Sequence, residues 1–242
     1  MRRVVVDQLL CLPHHEVALA ERNWYPDFIR LYAMSKITSQ GESRGKGRPR
    51  SFDREKALIR ALNVFWLRGY APASIAELCQ AMEINPPSLY AAFGNKASLF
   101  MEAVAFYEKN YWEAPASRLA AEPDIYRGVA AFFQEAACIL VSPDLPCGCM
   151  VVLAAINVSD DAEDIIKSIR ELRLATKRMF TDLIRRGVCD GQLPADTDVD
   201  ALAGALATVL EGLSIQARDG LSRAELERIA SLAVRLLPAK RI

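Results

Sequence analysis

The chain has 242 residues, 30 basic and 30 acidic side chains and 52% apolar residues, enough apolar content for a packed core in one or two domains and too much for a disordered or collagen-like chain. Its two histidines, His14 and His15, both lie near the start. The body therefore excludes Ser-His-Asp and Cys-His catalysis, Cys2His2 fingers and HExxH metal sites.

The first residues, Met1-Arg2-Arg3 followed by Val4 to Val6 and Leu9 to Leu12, imitate a secretory signal. Asp7 and Gln8 interrupt the apolar run, and Pro13-His14-His15 stands where a small-residue cleavage site belongs. Export is therefore not expected. The six cysteines are scattered through long apolar segments rather than set in a dense framework, which fits free thiols in a reducing cytoplasm. The longest nearly uncharged apolar stretch, Cys147 to Ser159, is shorter than the roughly 20 residues a membrane-spanning helix needs, so no membrane partner is expected. The run GESRGKG at Gly41 to Gly47 lacks the spacing and Ser/Thr of a phosphate-binding loop, and no GxGxxG follows a strand pattern. No cofactor and no catalytic residue are implied.

Residues 1–43 lack sustained periodicity and end in a Ser/Gly-rich stretch that reads as a flexible linker. The upstream residues also fit a mis-set translation start, with Met34 the true one. Charge then becomes uneven. Arg44 to Phe100 carries nine basic and four acidic residues, whereas Pro123 to the end carries 14 and 17. A basic polyanion-binding head, 44–100, is expected on a mildly acidic body, 101–242.

From Asp53 the residues Ala57, Leu58, Ala61, Leu62, Phe65 and Trp66 recur at three and four positions, predicting a helix with one buried stripe that closes at Gly69. Ser74 precedes Glu77 at capping-box spacing, and Ile75, Leu78, Cys79 and Met82 give a short second helix its apolar face. Asn85 is a good N-cap and Pro86 suits the first helical position, so a third short helix starts there, with Leu89 and Phe93 inward and Gly94 at its end. Two short helices braced by a longer one make a helix-turn-helix, whose second short helix fits the DNA major groove.

The run from Gly47 to Phe100 strongly resembles the DNA-binding domain of TetR/AcrR family transcriptional regulators. The resemblance rests on Phe65, Gly69-Tyr70, Ser74-Ile75, Leu78, Ile84, Ser88-Leu89-Tyr90, Phe93, Lys96 and Leu99-Phe100. It implies an all-α fold, with an N-terminal three-helix DNA-binding domain and a C-terminal helical bundle for ligand binding and dimerisation. It also implies phosphate anchors at Tyr90 and Lys96. Asn95 and Lys96 open the next helix, whose first amides suit a phosphate oxygen. Ser74, Asn85, Pro86, Pro87 and Ser88 match the segment that meets bases or nearby phosphates. Ala76, Ala91 and Ala92 stand where relatives often carry longer polar side chains, so few base-edge hydrogen bonds are expected. The arm Arg44, Lys46, Arg48 and Arg50, in the run RGKGRPR, contains the Gly-Arg-Pro core of minor-groove binders. It reads either as a groove insert or as a solvated linker that adds charge.

In the body, helices are expected near Asp124 to Val141, Cys149 to Ser159, Ala162 to Arg186, Asp198 to Arg218 and Ser222 to Leu237. Thr197 with Asp200 and Ser222 with Glu225 have capping-box spacing. By resemblance the last two helices form the dimer interface, where Gly204, Thr208 and Gly212 leave a smooth stripe; the same stripe also suits contacts within one subunit. Candidate pocket walls are Phe106, Tyr107, Tyr111, Trp112, Tyr126, Phe132, Phe133, Ile156 and Phe180, with Cys149 added; an aromatic stripe of this kind also serves as ordinary core. Cys147 and Cys149 precede a helix start, where a dipole lowers a thiol pKa, or else they are buried structural thiols. The CxC pair alone is no metal site.

The expectation is a homodimeric regulator, a repressor rather than an activator, that binds a palindromic double-stranded DNA operator and is released by an unknown small hydrophobic effector. The competing readings are an architectural DNA-binding protein without an effector, and a helical enzyme on a hydrophobic substrate that lacks visible acid/base pairs.

Overall fold

The computed structural model describes residues 52–154 and 162–239, and every element among them is helical. Asp53 starts the first helix, α1 (Arg54–Arg68), by accepting from the Glu55 and Lys56 amides at 3.1 Å. The six residues of the sequence stripe are its buried residues. At Gly69 a φ of 85° turns the chain away, a conformation that costs glycine little.

Helix α2 (Ile75–Met82) is capped by Ser74, whose Oγ accepts from the Glu77 amide at 3.1 Å. The capping box is only half made, because the Glu77 carboxylate accepts from Arg68 instead. Asn85 caps α3 (Pro86–Phe93), which buries Leu89 and Phe93. Asn95 caps α4 (Lys96–Tyr107). The boundary expected at residue 100 falls inside α4.

Sequence periodicity assigned no element to 101–123 beyond the helix opened at Asn95. There α4 continues through one π-helical turn, Glu108–Trp112, into α5 (Glu113–Ala121). Pro115 sits at the third position of α5, where its missing N–H and its ring leave the Tyr111 carbonyl without a normal partner. A widened turn just ahead of that position relieves the crowding.

The bundle consists of α6 (Ile125–Leu140), a single turn α7 (Met150–Leu153), α8 (Glu163–Cys189), α9 (Val199–Arg218) and α10 (Arg223–Ala233), followed by a 3-10 turn at Val234–Leu236. The helix expected over Cys149 to Ser159 is described only as far as α7; its remainder, with Ile156, lies outside the described residues. The cap of α9 differs from expectation by one position. Asp198 accepts from the Ala201 amide at 3.0 Å, while the Thr197 hydroxyl donates to the Pro194 carbonyl at 2.7 Å. The Ser222–Glu225 box is complete.

The core is continuous from head to bundle. Phe65 meets Phe100 edge-on at 5.1 Å, and Trp66 meets Tyr107 at 4.7 Å. Deeper in, Phe132, Phe133 and Phe180 form an aromatic triad with centroids 5.6 to 5.9 Å apart. Each buried ring of this size contributes on the order of 2 to 3 kcal/mol of burial free energy.

Candidate functional sites

Helices α3 and α4 present their N-termini differently. Pro86 and Pro87 occupy the first two positions of α3 and carry no N–H, and the Ser88 amide already donates to Asn85 Oδ1 at 2.9 Å. The start of α3 therefore offers no spare amide to an anion; its exposed side chains, Asn85 with its amide NH2 and the proline rings, make the surface. At α4 the Ser98 amide donates to Asn95 Oδ1 at 2.8 Å, and the Ala97 amide has no intrahelical acceptor. A phosphate oxygen is better matched to that end.

Tyr90 is 49% exposed on the outer face of α3. The Lys96 ammonium donates to the Ala71 carbonyl at 3.1 Å and lies 4.6 Å from the centre of the Tyr70 ring. It is thus steered to the turn ahead of α2 before any partner arrives. Ser74 Oγ, engaged as a cap acceptor, keeps its O–H as a donor on the same side of α2. Ala76 and Ala91 are exposed and bring no polar group. Arg44, Lys46, Arg48 and Arg50 lie outside the described residues. Beneath this surface Arg54 holds α1 to α3 and α4. Its guanidinium pairs with Glu102, with one bond of 2.7 Å, donates to the Ala92 carbonyl at 3.3 Å, and stacks 4.4 Å from the Phe93 ring.

Inside the bundle lies a cavity of about 70 Å³. Its walls come from the π turn (Glu108, Trp112), α5 (Ala116), α6 (Phe132, Leu140), the 149–152 segment, α8 (Leu172, Arg173, Thr176, Met179) and α9 (Leu210, Glu211). Among the aromatic and thiol candidates, Trp112, Phe132 and Cys149 line it; Phe106, Tyr107, Tyr111, Tyr126, Phe133 and Phe180 do not. Tyr107 is fully buried, accepting from Trp112 Nε1 at 2.8 Å. Tyr111 packs on Trp66, and Phe106 packs half-buried against the core. Phe133 and Phe180 stack on each other at 5.9 Å, and the Tyr126 hydroxyl donates to the carbonyls of Gln192 and Pro238 at 3.0 and 2.8 Å. These rings are core, as their helical spacing also allowed. The walls that aromatic counting missed lie on α8 at positions 172, 175, 176 and 179, a visible helical stripe whose aliphatic members gave no hint of a void.

Burial pushes the Cys149 thiol up to about 11, and the nearby Glu108 carboxylate pushes in the same direction. Of the two readings of this thiol, the buried structural one holds for Cys149, since α7 is a single turn with little dipole to oppose desolvation. Cys147 is exposed. Among the described residues, no group of three or more His, Cys, Asp or Glu is placed to hold a metal ion.

Cavity and head are joined by hydrogen bonds at one seam. Trp66 Nε1 donates to the Gly148 carbonyl at 2.9 Å, and the Tyr70 amide donates to the Ala154 carbonyl at 2.8 Å. From α9, Arg218 donates to the Trp66 carbonyl at 2.9 Å, and Ser214 Oγ accepts from the Cys149 amide at 2.7 Å. Gly148 has a φ of 83°, and a Cβ there would stand 2.5 Å from Leu153 Cδ1 and 2.7 Å from the Ser214 carbonyl oxygen. The segment that walls the cavity is therefore also the segment that grips the end of α1.

Along α9 the small residues face outward. A Cβ on Gly212 would meet nothing within 4 Å, and one on Gly204 only the end of the Lys177 side chain. Thr208 between them is exposed, as are Ile215 on α9 at 45% and Leu232 on α10 at 50%. Helix α9 is long and apolar enough on composition to cross a membrane, yet it packs on α8 and α10, and much of its surface stays uncovered by the rest of the described residues.

Comparison with known proteins agrees with this architecture. Residues 58–103 match the family described as bacterial regulatory proteins, tetR family, and residues 126–232 match the tetracyclin repressor-like C-terminal domain. The HTH-type transcriptional repressor ComR of Escherichia coli (strain K12) is 31% identical over 85% of this chain and 98% of its own length. The repressor BdcR of the same organism is 30% identical over 81% and 95%. A cysteine-substituted CifR, a TetR family transcriptional regulator solved with 26 base pairs of double-strand operator DNA, is 45% identical, covers 78% of this chain and 98% of that one, and superposes with a TM-score of 0.75. Two family domains in register, together with relatives matched over nearly their full length, make this chain a member of the TetR family of helix-turn-helix transcriptional regulators.

Proposed function

We propose that the chain is a homodimeric repressor whose two heads bind one palindromic operator and let go when a small hydrophobic molecule enters the bundle. The observation that carries this reading is the seam: Gly148 and Ala154, which flank the cavity-lining residues Cys149, Val151 and Val152, accept from Trp66 and Tyr70 of the head. An occupant that spreads the 149–152 segment from α8 displaces the acceptors of Trp66 and with them α1. Release follows only if the occupant prefers the displaced arrangement to the one that fits DNA.

DNA contact is assigned to Ser74, Asn85, Pro86, Pro87, Ser88 and Tyr90, with Asn95 and Lys96 on the phosphate backbone and Arg44, Lys46, Arg48 and Arg50 as an arm to the minor groove. With alanine at 76 and 91, specificity falls to the arm, to Asn85 and to DNA shape. Pairing is assigned to α9 and α10. Gly204, Thr208 and Gly212 let a second α9 approach closely, and Ile215 and Leu232 lose their exposure there. Two heads about one DNA turn apart, roughly 34 to 36 Å, then read two half-sites. That ComR and BdcR are named repressors and that CifR was solved on operator DNA supports the reading. The cavity favours it over an architectural protein without an effector.

The test is selection of bound fragments from a genomic DNA pool, with the stoichiometry of each complex measured by sedimentation. Palindromic fragments that hold an even number of chains are expected. Sequence-tolerant binding by single chains overturns the reading.

A further inference from the structure

Hydrogen bonds from two different places fix the end of α1 to the bundle. The Trp66 indole and the Tyr70 amide donate to the carbonyls of Gly148 and Ala154, on either side of the cavity wall. A further bond comes from α9, whose last residue, Arg218, donates to the Trp66 carbonyl at 2.9 Å. That carbonyl needs an outside donor. Were α1 to continue, the Tyr70 amide would reach it, but Gly69 turns the chain and Tyr70 bonds to Ala154 instead. A guanidinium at this place also meets the negative end of the α1 dipole.

Arg218 gains little else from its position. It is half-buried and forms no ion pair among the described residues, and its Nε–H is buried without a partner there. A charge held in this way burdens folding as an apolar side chain of the same reach would not. What the guanidinium does supply is a link between two surfaces. Ser214 and Arg218, one turn apart on α9, face the seam, while Gly212 and Ile215 beside them face outward, on the side assigned to the second chain. The pairing face and the bond to the head thus lie within about two turns of one helix.

We infer that Arg218 is a positioning residue that ties the orientation of each head to the paired α9 helices, so that operators are sorted by the spacing between their half-sites. This rests on the homodimer reading given above. Without the bond, α1 stays attached through the 148–154 segment, which is no part of the pairing face, and the head gains play about Trp66. Each base pair inserted between two half-sites moves one of them about 3.4 Å along the duplex and about 35° around it. A firmly held head rejects that displacement, and a loosely held one accepts it.

The experiment uses the full-length protein and a labelled palindromic fragment from the genomic selection, as selected and with one or two base pairs inserted at its centre. Anisotropy reads affinity and sedimentation reads pairing. The parent is expected to lose at least about tenfold for each inserted base pair. Arg218→Met is expected to stay paired, to bind the selected fragment only a few-fold more weakly, and to lose at most about threefold per insertion. Arg218→Lys keeps one donor for the Trp66 carbonyl and is expected to recover most of the discrimination. Arg186→Met controls for lost stability, because Arg186 also closes a helix end by donating to carbonyls, those of Ala120 and Glu122, but within the bundle. It is expected to lower the unfolding temperature and to keep the parent's spacing penalty. Should Arg218→Met fail to fold, Arg218→Gln, too short for the same bond, takes its place with the same expectation. An unchanged spacing penalty in the folded Arg218 variant, an equal fall in Arg186→Met, or dissociation of the Arg218 variant into single chains overturns the inference and leaves the homodimer reading standing. Selected fragments that lack a palindrome, or that hold single chains of the parent, overturn both.

Discussion

In the head, four successive helices begin at Asp53, Ser74, Asn85 and Asn95, and each of these side chains caps the helix it precedes. Every start is decided by residues within three positions of it. In the bundle, the cavity is walled by six elements spread over the chain from Glu108 to Glu211, among them a single helical turn and a π turn. The head is therefore locally specified and stiff, while the bundle encloses a space whose shape depends on many distant contacts. Between them lies the seam at Gly148, where the two kinds of order meet. Movement within the bundle has two routes to the head, that seam and α4, which runs on into the π turn of the cavity wall, and the substitutions below test whether the two regions are as separate as this comparison holds.

The largest effect is expected at the seam. Gly148→Val places a branched side chain where even a Cβ lies 2.7 Å from the Ser214 carbonyl, in a backbone conformation that valine resists. A stability loss of about 3 kcal/mol or more is expected in urea unfolding. If the head is independently stiff, its α2 and α3 amides keep their hydrogen-exchange protection longer than those of α7 and α9. Equal loss across both regions would break the comparison.

Next is the ion pair beneath the head. Glu102→Ala removes the acceptor of two Arg54 bonds and leaves the guanidinium, with a side chain 23% exposed, against Phe93. Breaking such a mostly buried pair costs about 2 to 3 kcal/mol. The double variant with Arg54→Met is expected to recover part of it, because neither charge is then stranded. No recovery would mean that the Arg54 contact with the Ala92 carbonyl carries the stability instead.

Legibility in the sequence follows the same division. The stripe of α1, the caps at Ser74, Asn85 and Ser222 and the ends at Gly69 and Gly94 follow from spacings of three and four residues, so local chemistry reveals them. Thr197 misled by one position because Asp198 offers the stronger cap acceptor next door. The π turn had one signal, Pro115, which is ambiguous near a helix start. The cavity had almost none. Phe133, Phe180 and Tyr107 share the helical spacing of Phe132 and Trp112, and only long-range packing decides which ring faces a void and which faces another ring. Cys149 kept two readings open for a related reason, since the dipole of a helix start is local but burial is not.

The thiols offer a direct measure of that contrast. Burial raises the Cys149 pKa above its ordinary value of 9.0 to about 11. The native thiol is therefore protonated at pH 8, and its contribution to stability is present below pH 9 and lost as the pH rises toward 11. Mass spectrometry after iodoacetamide treatment at pH 8 is expected to find Cys147 labelled and Cys149 protected. Labelling of Cys149 at the Cys147 rate would show that the seam opens far more often than its hydrogen bonds suggest.

At the DNA surface, Lys96→Ala removes one ammonium steered by Tyr70 and Ala71. Binding is expected to weaken roughly tenfold for all sequences alike, and the slope of log affinity against log salt to become shallower by about one. Unfolding should barely change. An unchanged slope would remove Lys96 from the phosphate contacts and leave Tyr90 to anchor that side.

The smallest effect separates two caps that look alike. Asn85→Ala and Asn95→Ala each remove an acceptor for one helix amide, so each is expected to cost about 1 kcal/mol in stability. Their DNA consequences differ. At α3 the prolines leave a phosphate only the single Ser88 amide that the substitution frees, so Asn85→Ala mainly loses the side-chain donor and alters sequence preference. At α4 the Ala97 amide stays in place and the freed Ser98 amide joins it, so Asn95→Ala is expected to leave backbone binding nearly intact. Footprints of the two variants on one operator, compared at equal fractional saturation, decide it. A common loss at the same phosphates would mean that the two helix starts act as one unit, despite the prolines that set them apart.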